Sequence, residues 1–416
     1  MIDARRLLSD LQRVVRDLEA DLRGRVAGEP SVRRAWEAEF EAARSSERTG
    51  LAFEVWRDQR VTQVAVGWVL ACVFTRFCED NGLLDDVWLS GPGERLAEVR
   101  DRQLHYGREH LGSSDLDYLE AALDRLAAVP VTAALVDTHN PRTLLAPTPD
   151  AATRLLEFWR RIDPASGRLA HDLTDRSLQT RFLGDLYQNL SEQARKDYAL
   201  LQTPEFVAEF ILDRTLDPAI EEFGLATVRL IDPACGSGHF LLGAFARLLS
   251  GWQELEPGTD VQLLVGRVLD QVAGVDINPY AAAIARFRLV VAAIRACGIR
   301  RLVDAPAWRL HVAIGDSLLF GASDSGQVRA GDRGEGPFVY SYEDAAEMKE
   351  VLGQRYHAVV GNPLYITVKN PVLNRAYRER WNACAGQYAM SVPFAQRIFD
   401  LAVDSGSTGQ ITANSL

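Results

Sequence analysis

Leu230-Ile231-Asp232-Pro233-Ala234-Cys235-Gly236-Ser237-Gly238-His239-Phe240 reads as a short apolar strand ending on a carboxylate, a turn through two glycines, and the start of a helix. In open α/β sheets, ligands sit outside the carboxyl ends of the strands. Glycine at such a turn lets the backbone approach a ligand with no Cβ in the way. Asp232 is placed to accept hydrogen bonds from a ligand ammonium. Gly-x-Gly alone says little, since a structural turn explains it equally well; the Asp-Pro-Ala-Cys context makes the run specific. The third glycine of the dinucleotide fingerprint is absent, with Leu241 in its place.

Downstream of this turn strands and helices alternate. Strands are expected at 228–231, 272–275, 312–314, 357–360 and 410–412, with helices at 240–249, 281–296 and 394–403. Such alternation predicts an α/β fold, a parallel Rossmann-like sheet covered by helices on both faces. Upstream, 182–190 reads as an amphipathic helix, and another starts with Thr203 as N-cap and Pro204 at the first helical position. Residues 1–165 read as helical. Leu7, Leu8, Leu11, Val14, Val15, Leu18 and Leu22 recur at three- and four-residue spacing. A second helix at 61–78 carries a wide apolar surface that includes Val66, Val69, Val73 and Phe77. The stretches 91–93, 141–149 and 321–337 read as loops, the last a surface insertion rich in Gly, Ser and Asp. The expected organisation is a helical N-terminal domain over 1–165 and an α/β domain over 166–416.

Composition narrows the class. A length of 416 residues with 47% hydrophobic and 25% charged residues suits a globular chain of two or three domains. The net charge of -11 argues against a surface that coats nucleic acid all over, while leaving room for local basic patches. Lys369, Arg375, Arg378 and Arg380 form one such patch, a candidate for phosphate contacts, although a solvated helix face is the more ordinary reading. Five scattered cysteines with no Cys-x-x-Cys pair and no His/Cys cluster imply reduced thiols in a cytoplasm and no zinc. Met1-Ile2-Asp3-Ala4-Arg5-Arg6 does not open an apolar signal sequence, and the apolar run 64–74 is too short to span a bilayer. The expectation is a cytoplasmic protein with neither a membrane nor a metal partner.

Three further strand ends carry candidate chemistry. In Val275-Asp276-Ile277-Asn278-Pro279, Asp276 is placed to hold both hydroxyls of a ribose, with a helix cap as the competing reading. It lies well beyond the ~20 residues that separate glycines and acid in dinucleotide folds, which disfavours NAD. In Ile314-Gly315-Asp316-Ser317, Asp316 can accept from an adenine amino group, though taken alone it is an ordinary turn aspartate. In Val360-Gly361-Asn362-Pro363-Leu364-Tyr365, the Asn362 side-chain oxygen and the Pro363 carbonyl offer two acceptors to the hydrogens of a planar amino group. Tyr365 can stack on an extruded base. Holding both hydrogens drives the nitrogen toward a pyramidal shape and exposes its lone pair to an electrophilic methyl sulfonium. The proton leaves after the methyl arrives, so the rate rests on positioning and electrostatics. Isolated Asn-Pro dipeptides are mostly turns after buried strands.

Taken in order, these motifs resemble the class I S-adenosylmethionine-dependent methyltransferases that modify adenine N6 in DNA. Thr203-Pro204-Glu205-Phe206-Val207 looks like the family's motif X. The order matches the group whose target-recognition domain follows the catalytic core. The class resemblance covers about 180–416. The helical N-terminal part, with 366–371 and 374–381, is similar to the methyltransferases of BREX phage-defence systems called PglX. The resemblance implies a class I methyltransferase sheet and S-adenosyl-L-methionine as methyl donor. It implies that Thr203, Phe206, Asp232, Ala234, Gly236, Gly238, Asp276, Ile277, Asp316 and Ser317 hold that donor. It further implies that Asn362, Pro363 and Tyr365 hold a flipped adenine of double-stranded DNA, with other phage-defence proteins as partners.

Leu364 stands where the family usually carries a second proline. Proline fixes φ near −65°, so leucine is expected to loosen the base clamp and slow transfer without abolishing it. Ile411-Thr412-Ala413-Asn414-Ser415-Leu416 follows a strand in the position of the fifth of seven. The last strands and a recognition domain are therefore expected to be missing, leaving an open edge and poor independent stability. Two alternatives stay open. A protein glutamine-N5 methyltransferase faces the same chemical problem, but the long helical region and the 321–337 insertion favour DNA. A non-catalytic module that binds the donor or a defence partner is supported by Leu364 and by the expected missing C-terminus. A nuclease is disfavoured, because Pro149-Asp150 has no Glu-x-Lys run after it.

Overall fold

The computed structural model describes residues 2–190, 203–320, 338–368 and 370–412. The insertion expected at 321–337 and Lys369 of the basic patch lie outside these residues.

The N-terminal part comprises α1 (Ala4–Gly28), α2 (Pro30–Ser45), α3 (Phe53–Asp80), α4 (Arg95–Glu109), α5 (Asp115–Ala127), the short α6 (Pro130–Ala133) and α7 (Pro149–Arg160). Helix α1 buries Leu7, Leu11, Val15, Leu18, Leu22 and Val26, the face that the spacing predicted. Helix α3 contains the expected 61–78 helix and is buried nearly all round, as a helix through the middle of a core must be. Among the described residues it is the one helix long and apolar enough to cross a membrane, and its apolar window lies wholly inside the protein. Its charged end is buried with partners: Arg76 meets Asp80 at 2.7 Å, and Glu79 accepts the backbone N–H groups of Trp88, Leu89 and Ser90. The 141–149 stretch is more ordered than a loop. Pro141–Leu144 forms a 3-10 turn, and Pro149 opens α7 with Thr148 as its cap.

Helices α8 (Phe182–Asn189) and α9 (Glu205–Phe223) lead into the sheet. Thr203 is not the cap of α9. Pro204 holds that position without a side-chain cap, and the Thr203 hydroxyl instead accepts from the Asn362 amide at 3.1 Å. The sheet contains β1 (Leu230–Asp232), β2 (Val272–Asp276), β3 (His311–Ile314), β4 (Tyr356–Gly361) and β5 (Ala402–Gln410) in the order β3-β2-β1-β4-β5. Every pairing is parallel, so the expected α/β class holds. The connecting helices are α10 (His239–Leu255), α11 (Val261–Gln271), α12 (Pro279–Cys297), α13 (Ala345–Leu352), α14 (Pro371–Arg380) and α15 (Ser391–Leu401).

The largest departure from the expected boundaries is at the last helix and strand. Strand β5 begins at Ala402, not 410, and α15 ends at Leu401. The strand reads Ala-Val-Asp-Ser-Gly-Ser-Thr-Gly-Gln, and without apolar alternation nothing local marks it. Pairing with β4, which is buried throughout, decides its conformation. Ile411 lies past the strand, donating to the Gly361 carbonyl at 3.0 Å.

The two parts share one hydrophobic core. Phe74 of α3 stacks on Phe287 of α12 with ring centroids 4.4 Å apart, and Phe77 meets the same ring edge-on. The Arg286 guanidinium ties α12 to both sides, donating to the carbonyls of Val312 at 2.8 Å and Ala134 at 3.0 Å. Strands β1 and β4 are neighbours from which the chain order runs outward in opposite directions. In open sheets, that switch point opens a crevice at the strands' carboxyl ends.

Candidate active site

The crevice is open to solvent and walled by the carboxyl ends of β1, β2, β3 and β4. Thr203, Asp232, Ala234, Gly236, Asp276, Ile277, Asp316, Ser317, Asn362, Pro363 and Tyr365 all line it. Two of the expected residues do not. Phe206 is 75% exposed, turned outward on the first turn of α9. Gly238 lies behind the wall as the left-handed N-cap of α10, φ 82°.

Each strand end presents its carboxylate differently. Asp232 is buried, and Oδ1 accepts the Ala234 N–H at 3.0 Å. Burial, opposed by that hydrogen bond and reinforced by nearby Asp276, pushes its carboxyl up to about 8. Asp276 takes the Asn278 N–H on Oδ1 at 2.8 Å and the Gly236 N–H on Oδ2 at 2.7 Å. It is thus both a local cap and a strut for the glycine turn, and burial pushes it up to about 6. Asp316 takes the Leu318 N–H on Oδ1 at 2.9 Å and the Tyr377 hydroxyl on Oδ2 at 2.7 Å. Each carboxylate oxygen retains acceptor capacity for a ligand donor. Ser317 donates its hydroxyl to the Pro233 carbonyl at 2.7 Å, fastening the β3 loop to the β1 loop.

The Asn-Pro loop faces this array from β4. A Cβ built on Gly361 would lie 3.5 Å from Asp232 Oδ1, so the two loops touch. The Asn362 amide donates to Thr203, and its Oδ1 accepts the Tyr365 hydroxyl at 2.5 Å. Leu364 lies half-buried on the same wall.

Some lining residues escaped the sequence reading. Tyr377 belongs to the segment read as a basic patch, a candidate for phosphate contacts or an ordinary solvated helix face. There, Arg375 pairs with Glu47 at 2.7 Å, while Arg378 bonds the Asn374 side chain and the Cys384 carbonyl. The helix turns Tyr377 inward beside Trp381, onto the cavity wall. The spacing of Leu373, Tyr377 and Trp381 was the available signal. His239 also lines the cavity. Burial first, then Arg288 and Arg181, push its imidazole down to about 4, leaving it neutral at pH 7.

A family model described as Eco57I restriction-modification methylase matches residues 270–416. A second, described as MmeI, DNA-methyltransferase domain, matches residues 219–303. The Adenine-specific methyltransferase PglX of Streptomyces coelicolor is 47% identical over the whole of this chain. The resemblance to adenine-specific methyltransferases holds. The chain spans 36% of the length of that relative. The Type II methyltransferase M.PaeR7I of Pseudomonas aeruginosa is 28% identical over 50% of this chain and 30% of its own length. Among solved structures, the ATP-dependent Type ISP restriction-modification enzyme LlaBIII bound to DNA aligns with 98% of this chain and 24% of its own. Its TM-score is 0.51 and its identity 12%, a likeness of fold.

Proposed function

We propose that this chain carries the catalytic core of a DNA adenine-N6 methyltransferase. Its methyl donor is S-adenosyl-L-methionine, and its setting is a BREX-type phage-defence system in the cytoplasm, alongside other defence proteins. Residues 166–416 carry the chemistry and 1–165 form the helical domain. The observation behind this reading is the meeting of the glycine turn and the Asn-Pro loop at one cavity. The donor set fits: buried carboxylates stand at three strand ends, suited to an ammonium, a ribose and an adenine amino group. When bound, the donor supplies an electrophilic methyl sulfonium.

The chain's own residues do the rest. Asp232 would hold the ammonium, Asp276 the ribose hydroxyls, and Asp316, steadied by Tyr377, the adenine edge. Asn362 Oδ1 and the Pro363 carbonyl accept the two hydrogens of the target amino group. The Tyr365 hydroxyl now occupies Asn362 Oδ1, so the arriving amino group displaces it and the ring turns onto the face of the flipped base. Held by both hydrogens, the nitrogen would keep its lone pair turned toward the donor side of the cavity, and the Asn362 and Pro363 oxygens would guide the departing proton to water.

The test is transfer of tritiated methyl to double-stranded DNA, run against transfer to the glutamine of a release factor. Label at adenine N6 that disappears with Asn362→Ala is the expected result. Label in the release factor instead would overturn the reading.

A further inference from the structure

Behind the glycine turn lies a buried charge with no carboxylate within 4.0 Å among the described residues. Arg288, on α12, is 7% exposed. Its Nη1 donates to the Ser237 carbonyl at 2.7 Å and to the Ser237 hydroxyl at 3.4 Å, and Nε has no partner. Burial pushes its guanidinium down to about 10. Each of the other buried arginines among the described residues has a carboxylate within 4.0 Å. These are Arg48, Arg60, Arg76, Arg142, Arg286 and Arg397. A buried guanidinium without an anion is costly, so Arg288 stands as half of an ion pair.

Arg288 lines a second, open cavity, which meets the first at Thr203 and His239, residues common to both walls. The acids of that second cavity are engaged elsewhere: Glu205 lies 3.9 Å from Arg181 and Glu209 2.5 Å from Arg247. His239, neutral, brings no competing charge.

We infer that Arg288 is the counterion of the α-carboxylate on the methyl donor's amino-acid portion, which reaches it past Thr203 and His239. The inference rests on the S-adenosylmethionine reading given above. It places the two charges of that amino acid beside one turn, the ammonium at Asp232 and the carboxylate behind Ser237. A duplex phosphate is the poorer fit, because phosphate backbones are met by exposed cations and Arg288 is enclosed.

Calorimetric titration with S-adenosylmethionine and with its decarboxylated analogue tests this, since the two differ only in the carboxylate. The unsubstituted chain should prefer the carboxylated ligand by on the order of 30-fold or more. Arg288→Met should abolish that preference by weakening the carboxylated ligand alone, and Arg288→Lys should restore part of it. Equal affinities in the unsubstituted chain, a result that needs no variant to fold, would overturn the assignment. So would a preference that survives Arg288→Met, or a loss of DNA binding with donor preference intact. If neither ligand binds the unsubstituted chain, the methyl-donor reading itself falls and takes this inference with it.

Discussion

At the scale of single residues, Asp232 links the site to pH. Burial pushes its carboxyl up to about 8, above its value in an unfolded chain. The folded state therefore holds a proton that the unfolded state has released, and this contribution to stability is lost as pH rises from the ordinary carboxyl range toward 8. A cationic donor reverses the preference by favouring the carboxylate, so its binding expels that proton. Donor affinity is expected to rise between pH 6 and 8, and Asp232→Asn to flatten the rise. Proton release measured by calorimetry in buffers of different ionisation enthalpy checks both. Asn362→Ala is expected to slow methyl transfer by about 10²–10³-fold while leaving donor affinity within a few-fold, as transfer rates and titration would read separately. The strand-end residues were legible because each closes an apolar run. Tyr377 was not, because its bond to Asp316 joins distant parts of the chain and no local pattern encodes such a pairing.

Among the elements, the glycine turn bears the tightest constraint. Gly238 adopts φ 82°, and a Cβ there would meet the Ala285 Cβ at 3.1 Å. Gly238→Ala is expected to cost about 1–2 kcal/mol from the left-handed backbone alone and to weaken donor binding, measured by thermal melting and titration. The glycine missing at position 241 has a counterpart across the sheet. A Cβ on Gly274 of β2 would lie 2.8 Å from Leu241 Cδ1, so the close approach of helix to sheet is made by a glycine on the neighbouring strand. A second expected outcome concerns the loop after β4. Leu364→Pro should raise the transfer rate by stiffening the Asn-Pro clamp, and an unchanged rate would count against a loosened loop. Elements with periodic apolar residues were readable in the sequence. Strand β5 was not, being polar and shaped by its neighbour.

Across the whole molecule, the change from helical to alternating pattern near residue 166 was visible in the sequence, but the joint between the two parts was not. Phe74 and Phe287 are far apart in the chain and stack at 4.4 Å. Phe287→Ala is expected to cost about 3–5 kcal/mol. If the parts unfold together, far-ultraviolet dichroism and tryptophan fluorescence will lose their signals in coincident transitions; separate midpoints would show that the joint does not couple them.

That joint also limits how such proteins diverge. A recombinant carrying the helices of one relative and the sheet of another would bring together aromatic faces that had never been fitted to each other. Compatible crossovers must then inherit both faces from one parent, however far apart the two lie along the gene.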